Sequence, residues 1–224
     1  MRSATSLFVL MILLVSCRAH KIQPTVEEPL QVPQVLVLSV GAADLRDLDE
    51  GKSIVTHDQL GADRCHFPSL QIGKDAWLHA TTVDGRLTIG GEGRFYGAKV
   101  GGEVCVGDDL FACHSHFYEA VHVEGDVTAV DTHFNGLLCA TAEIIDLTDV
   151  RAQSIYVKAT GPYYDKQLVY IKGNTCIAGD ITFESERGRV IFDIHTRVEG
   201  TIKGGHALPS YECDRIILES NRSH

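Results

Sequence analysis

The chain is predicted to be all-β, a single-stranded β-helix (β-solenoid) with coils of about 17 residues, and three observations predict it. Leu70, Leu87, Val104, Val121, Leu138 and Ile155 recur at one fixed spacing, with Ile72, Ile89, Val106, Val123, Ala140 and Val157 two residues later. A second apolar column, Val83, Val100, Phe117 and Phe134, keeps the same spacing and is preceded two positions back by the small residues Thr81, Ala98, Ser115 and Thr132. Gly73, Gly90 and Gly107 follow the first triplets. A fixed period of this length means that one repeat cannot bury its apolar face alone, so coils stack and share a core.

The elements follow in chain order. Residues 1–16 carry an early positive charge at Arg2 and an apolar run from Leu7 to Val15, too short to span a bilayer and suited to a signal peptide. The run ends in Leu14-Val15-Ser16-Cys17, which resembles a bacterial lipobox. That resemblance implies cleavage before Cys17 and lipidation of its thiol; the alternative is an ordinary signal cleaved after Ala19. Arg18 stands where a Gram-negative inner-membrane retention signal has Asp, so the expected location is the outer membrane, lipid-anchored and facing the periplasm or cell surface. Residues 17–33 include Pro24, Pro29 and Pro33 and read as an extended tether. Residues 34–68 are expected to form an N-terminal cap, 69–204 the solenoid, and 205–224 a C-terminal cap or tail.

Within the solenoid the five clearest coils are Ser69 to Gly85, Arg86 to Gly102, Glu103 to Glu119, Ala120 to Gly136 and Leu137 to Gln153. Each opens with an apolar, variable, apolar triplet whose first and third side chains share one face of a short strand. The glycine after the triplet is read as a corner with positive φ. Phe117 is expected to stack on Phe134. After Ile155 the period slips, since Leu168-Val169-Tyr170-Ile171 arrives early, and the coil containing Gly161 to Tyr164 is expected to be shortened or irregular. Caps are expected because an open coil end is an exposed sheet edge that invites self-association.

The formal charge of -10 argues against a nucleic-acid surface and against electrostatic attachment to anionic lipid. Of the seven cysteines, Cys17 is assigned to lipid. Cys105 and Cys139 lie two coils apart, about 9.6 Å, beyond disulfide reach. Cys176 with Cys213 is the candidate disulfide.

The turns Leu87-Thr88-Ile89-Gly90 and Val104-Cys105-Val106-Gly107 resemble those of the bactofilin-like solenoids, over roughly Leu70 to Gly204. The resemblance implies a right-handed β-helix and self-association by end-to-end stacking. An export signal and long flanks depart from that pattern. Hexapeptide acyltransferases share the Gly turns but keep a stricter six-residue rhythm.

Two columns carry chemistry. Asp75, Glu92, Asp109, Asp126 and Glu143 form an acidic ladder, each step costing about 0.9 kcal/mol in water at about 4.8 Å. Bridging calcium would relieve it; a solvated acidic corner is the alternative. His114 and His116, with Asp131 and His133 one coil on, form an outward square whose donors suit zinc; a plain polar face is its alternative. Three functions follow. The first is a noncatalytic envelope lipoprotein, a rigid scaffold or docking surface for an envelope protein or the cell wall. The second is a carbohydrate-acting β-helix enzyme, using acidic residues of neighbouring coils or bound divalent metal. The third is carbohydrate or metal binding without turnover, with Trp77, Tyr96 and Tyr118 as stacking surfaces.

Overall fold

The computed structural model describes residues 35–38, 42–49, 51–159 and 167–209. It is a β-solenoid whose coils each lay down up to three short strands, one per face of a triangular prism, with every neighbouring strand parallel. The first face contains the predicted triplets: Leu70–Ile72, Leu87–Ile89, Val104–Val106 and Val121–Val123 pair in register, Leu70 with Leu87, Leu87 with Val104, Val104 with Val121 and Val121 with Leu138. The third face contains the Val83 column, in the pairs Val83 with Val100, Val100 with Phe117 and Phe117 with Phe134. His133–Ala140 runs through both, joining the first and third faces into one 16-stranded sheet.

Between them lies a second face absent from the sequence reading. It is a 10-stranded parallel sheet running from Ala43–Arg46 through Ala76–His79, Gly93–Tyr96 and Leu110–Cys113 to Gly205–Pro209, and it sets the number of coils at about ten. Its inward residues alternate as a strand should, with Leu78, Phe95, Ala112, Ala129 and Leu147 buried.

The stack is longer at both ends than the expected 69–204. In the stretch expected to cap the N-terminus, Val35–Leu38 pairs with Ser53–Thr56, and Ala43–Arg46 with Leu60–Asp63, so residues from Val35 onward are themselves coil. At the other end Gly205–Pro209 extends the second face beyond Gly188–Phe192. The irregular coil is lengthened, not shortened. Leu168–Lys172 pairs with Ile144–Thr148 on the second face, so Val169 sits 24 residues after its partner Ile145 where neighbouring coils need 17 or 18. The apparent early arrival came from comparing Leu168 with the first-face column, to which it does not belong. Gly161 to Tyr164 lie outside the described residues, as do Cys17 and Cys213.

The corners differ from expectation in a second way. Gly73, Gly90 and Gly107 do not have positive φ. A Cβ on Gly90 would lie 2.2 Å from the carbonyl oxygen of Gly73, and one on Gly107 2.4 Å from that of Gly90. At these coils the stacked backbones approach too closely for a side chain, whereas farther along the same column the corner carries Glu124 and Thr141. The left-handed column is the corner between the second and third faces, occupied by Asp47, Arg64, Ala80, Gly97, His114, Asp131, Asp149 and Gly173. The residue after it turns inward in every coil but the one at Gly173, where Asn174 is exposed and Thr175 is buried instead, and the buried hydroxyls there bond the backbone. Thr81 Oγ1 donates to the Ala62 carbonyl (3.1 Å), and Ser115 Oγ accepts from the Ala98 N–H (3.2 Å) and donates to the Cys113 carbonyl (3.0 Å).

The core is a pile of single side chains. Phe117 stacks on Phe134 as expected, with centroids 5.1 Å apart and planes 11° apart, and Phe95 meets Phe117 edge-on at 5.2 Å. Phe134→Asp places a charge in this pile and should abolish cooperative thermal unfolding, whereas Phe134→Ala should cost about 3–5 kcal/mol in urea titration. An unchanged melting curve for the Asp variant would contradict the inward assignment. Gly90→Ala is expected to destabilise by about 1–3 kcal/mol through backbone overpacking, read in the same titration.

Candidate functional site

The acidic column occupies the corner between the first and second faces, and its oxygens are engaged with backbone. Asp75 Oδ1 accepts the Glu92 N–H (3.1 Å), Asp109 Oδ1 the Asp126 N–H (2.8 Å), and Asp126 Oδ1 the N–H groups of both Glu143 and Ile144 (2.9 Å each). Glycine makes room: a Cβ at Gly91 would lie 2.3 Å from Asp75 Oδ1, and one at Gly125 2.5 Å from Asp109 Oδ1. Glu92 instead pairs with Arg94 (2.7 Å). Three of the five column members, Asp75, Asp109 and Asp126, thus act as inter-coil caps, the sheet equivalent of an Asp at a helix N-cap.

The four residues of the histidine square pair across neighbouring coils as the spacing predicts, Asp131 against His114 and His133 against His116. His114 and Asp131 sit on the left-handed corner and pair with each other (Nδ1 to Oδ2, 2.7 Å), while His116 and His133 lie on the strand that follows, with ring centroids 5.1 Å apart. His116 is stacked on Tyr118, with ring centroids 4.1 Å apart and planes 5° apart. Among the described residues no three His, Cys, Asp or Glu side chains form a metal-binding group. Cys105, His122 and Cys139 are in register on the first face, where His122 pairs with Glu103 (3.2 Å) and burial raises the Cys139 thiol above its ordinary pKa. No two cysteines are bonded among the described residues. Cys176 is on the third face opposite Arg151, and its predicted partner Cys213 lies outside the described residues.

The outward side of the second face brings Trp77 and Tyr96, two of the expected stacking residues, together with residues not expected from the sequence. One row runs Asp44, Gly61, Trp77, Arg94, Phe111, and the next Arg46, Asp63, His79, Tyr96, Cys113. Trp77 is 58% exposed. Arg94 lies over its ring, 5.8 Å from the centroid, and is held there by two bonds to Glu92 (2.7 and 3.2 Å). Tyr96 and Phe111 are 5.4 Å apart. Tyr118, the third expected stacking residue, is on another face against His116, so it does not join this group. Trp77, Arg94 and Phe111 keep the 17-residue spacing, whereas Gly61 to Trp77 spans 16 residues, so the period does not carry the row back to Asp44.

Electrostatic staples cluster on the corner beside this face. Arg64 binds Asp47 (2.7 Å) and holds that carboxyl below its usual pKa. His79 binds Asp63 (2.7 Å), with the same effect on Asp63. His66 is placed between two carboxylates, Nε2 to Asp84 Oδ2 at 2.8 Å and Nδ1 to Asp49 Oδ1 at 3.0 Å. Only imidazolium can donate to both, so the Asp84 bond, followed by the Asp49 bond, raises the His66 pKa above 6.5.

The sign of the pH dependence follows. A raised histidine pKa stabilises the fold fully below the unfolded value of 6.5, and that contribution is lost as pH rises through the folded value. The melting temperature should therefore fall as pH is raised from about 6 to about 9, by an amount equivalent to ~0.2–1 kcal/mol for exposed pairs, and His66→Asn should flatten that part of the profile. For the acidic column, Asp126→Asn keeps an acceptor oxygen and should be nearly neutral in thermal denaturation. Asp126→Ala should cost about 0.5–2 kcal/mol, with or without chelator. No protein-family model matches the chain, and no curated protein and no solved structure matches it.

Proposed function

We propose that the protein is a noncatalytic lipoprotein of the bacterial cell envelope, anchored in the outer membrane through lipid on Cys17, and that its solenoid is a rigid scaffold presenting flat faces to an envelope protein or the cell wall. The observation that carries the reading is the continuous parallel register of the second face over ten strands. Nine steps of about 4.8 Å make a surface roughly 43 Å long, of the scale of a standard protein–protein contact. A parallel stack of this kind bends little, because displacing one coil breaks ladder bonds on both of its sides. The short apolar leader and Leu14-Val15-Ser16-Cys17 supply the address. Residues 17–33, with their three prolines, supply a tether that holds the rod off the membrane.

In a Gram-negative host, Cys17→Ser is expected to move the protein out of the membrane fraction and to abolish metabolic labelling by fatty acid. A variant that still carries label, or stays with the membrane after a salt wash, overturns the anchoring.

A further inference from the structure

We propose that the outward second face carries a binding site for a neutral pyranose glycan at Trp77. Two depressions of about 290 and about 270 Å³ flank the Asp44–Gly61–Trp77 row and share those three residues. Each is near the lower bound of small-molecule sites, about 300 Å³, as suits one sugar ring at a time.

Three features make this more than an exposed aromatic. First, the indole has one covered and one open side. Its neighbour on one side in the row is Arg94, clamped by Glu92; on the other it is Gly61, which has no side chain. Second, Asp44 leans over Gly61, so that a Cβ there would lie 2.3 Å from Asp44 Oδ1. That carboxylate receives no hydrogen bond from the described residues and is exposed at the edge of both depressions. An apolar ring face beside a vacant acceptor is what a pyranose needs, since its axial C–H groups pack on an indole and its hydroxyls donate to carboxylate. Third, the polar rim is pre-set. Gln59 Nε2 donates to Asp75 Oδ2 at 2.9 Å, and His79 is bonded to Asp63 at 2.7 Å, so little side-chain order has to be acquired on binding.

Charge selects the class of glycan. Of the basic groups lining the two depressions, Arg94 is opposed by Glu92 and His79 by Asp63, while Arg46 lies near Asp47. Asp44 and Asp75 add further negative charge, and the chain as a whole carries -10. Polysulfates and uronate polymers are therefore disfavoured, and neutral hexose or N-acetylhexosamine chains favoured. The site needs only the folded solenoid, so its failure leaves the anchoring proposal standing.

Trp77 is the only tryptophan of the chain, so intrinsic fluorescence reports this site alone. The full-length protein, in a detergent without a sugar headgroup, is titrated with β-linked N-acetylglucosamine tetrasaccharide, with cellotetraose and with heparin. The expected result is a saturable change in emission with at least one neutral tetrasaccharide at up to about 10 mM, and none with heparin. Calorimetric binding should disappear in Trp77→Ala and weaken about tenfold in Asp44→Asn, while both variants keep the parent melting temperature. No saturable response to either neutral glycan, an equal response to heparin, or undiminished binding by Trp77→Ala overturns the proposal. A concentration-dependent emission shift without sugar would assign the face to a second copy of the chain and overturn it as well.

Discussion

Each coil depends on its neighbours for its backbone hydrogen bonds. In a single-stranded β-helix no strand pairs with the next strand in sequence; Leu87 donates to Glu103, Leu110 to Asp126 and His116 to Ala98, always across to an adjacent coil. A buried N–H or C=O without a partner costs about as much as a lost hydrogen bond. The registers of all three faces are therefore locked together. A single-residue shift is absorbed as a bulge between Phe134 and Leu137, but a longer insertion enters where the chain leaves the ladder. The insertion between Val157 and Leu168 does so: the chain passes from first to second face in 11 residues there, against 4 between the corresponding Ala140 and Ile144, and the pairs on either side resume in step.

The same constraint sorts the corner residues. Where stacked backbones touch, as at Gly73, Gly90 and Gly107, any Cβ would strike a carbonyl oxygen of the preceding coil. Where the chain turns into the third face, the backbone must be left-handed, yet Asp47, Arg64, Ala80, His114, Asp131 and Asp149 all accept that conformation. It costs an L-residue about 1–2 kcal/mol. The cost is offset locally, because those residues stay in the ladder: Arg64 N–H donates to His79, His114 N–H to Val130 and Asp131 N–H to Thr148. Their side chains are left outside, where Arg64 reaches Asp47 and His114 reaches Asp131, one coil apart.

Side chains that look like ligands in a column therefore act first as staples between coils. A carboxylate one coil below an unpaired N–H is already at hydrogen-bond distance, so Asp75, Asp109 and Asp126 cap backbone before any cation is needed. Asp180 repeats the device near the other end. Lys203 at 2.5 Å, with the Thr201 N–H and hydroxyl, lowers its pKa to about 2. What distinguishes Asp44 is that this role is not filled. Glycine at Gly61 lets it lean toward the indole of Trp77, and the described residues give its carboxylate no donor.

Much of the first and third faces was legible in the sequence, because a period shared by Leu70 to Ile155 and by Val83 to Phe134 can arise only if coils of equal length stack. The Phe117–Phe134 contact follows from that period alone. Less regular parts were not legible. The second face is written in small residues such as Ala76, Gly93, Ala112 and Ala129, whose apolar signal is weak, and the spacing between coils changes by one at Gly61 to Trp77. By itself, then, the sequence determined the repeat, the inward columns and the parallel β architecture, since these depend on the alternation of apolar side chains along a strand. Only the tertiary structure decided which corner is left-handed, that Asp75, Asp109 and Asp126 cap backbone, and that Asp44 and Gly61 meet Trp77. Each of those depends on the distance and direction between atoms of neighbouring coils, which a spacing in the chain does not specify.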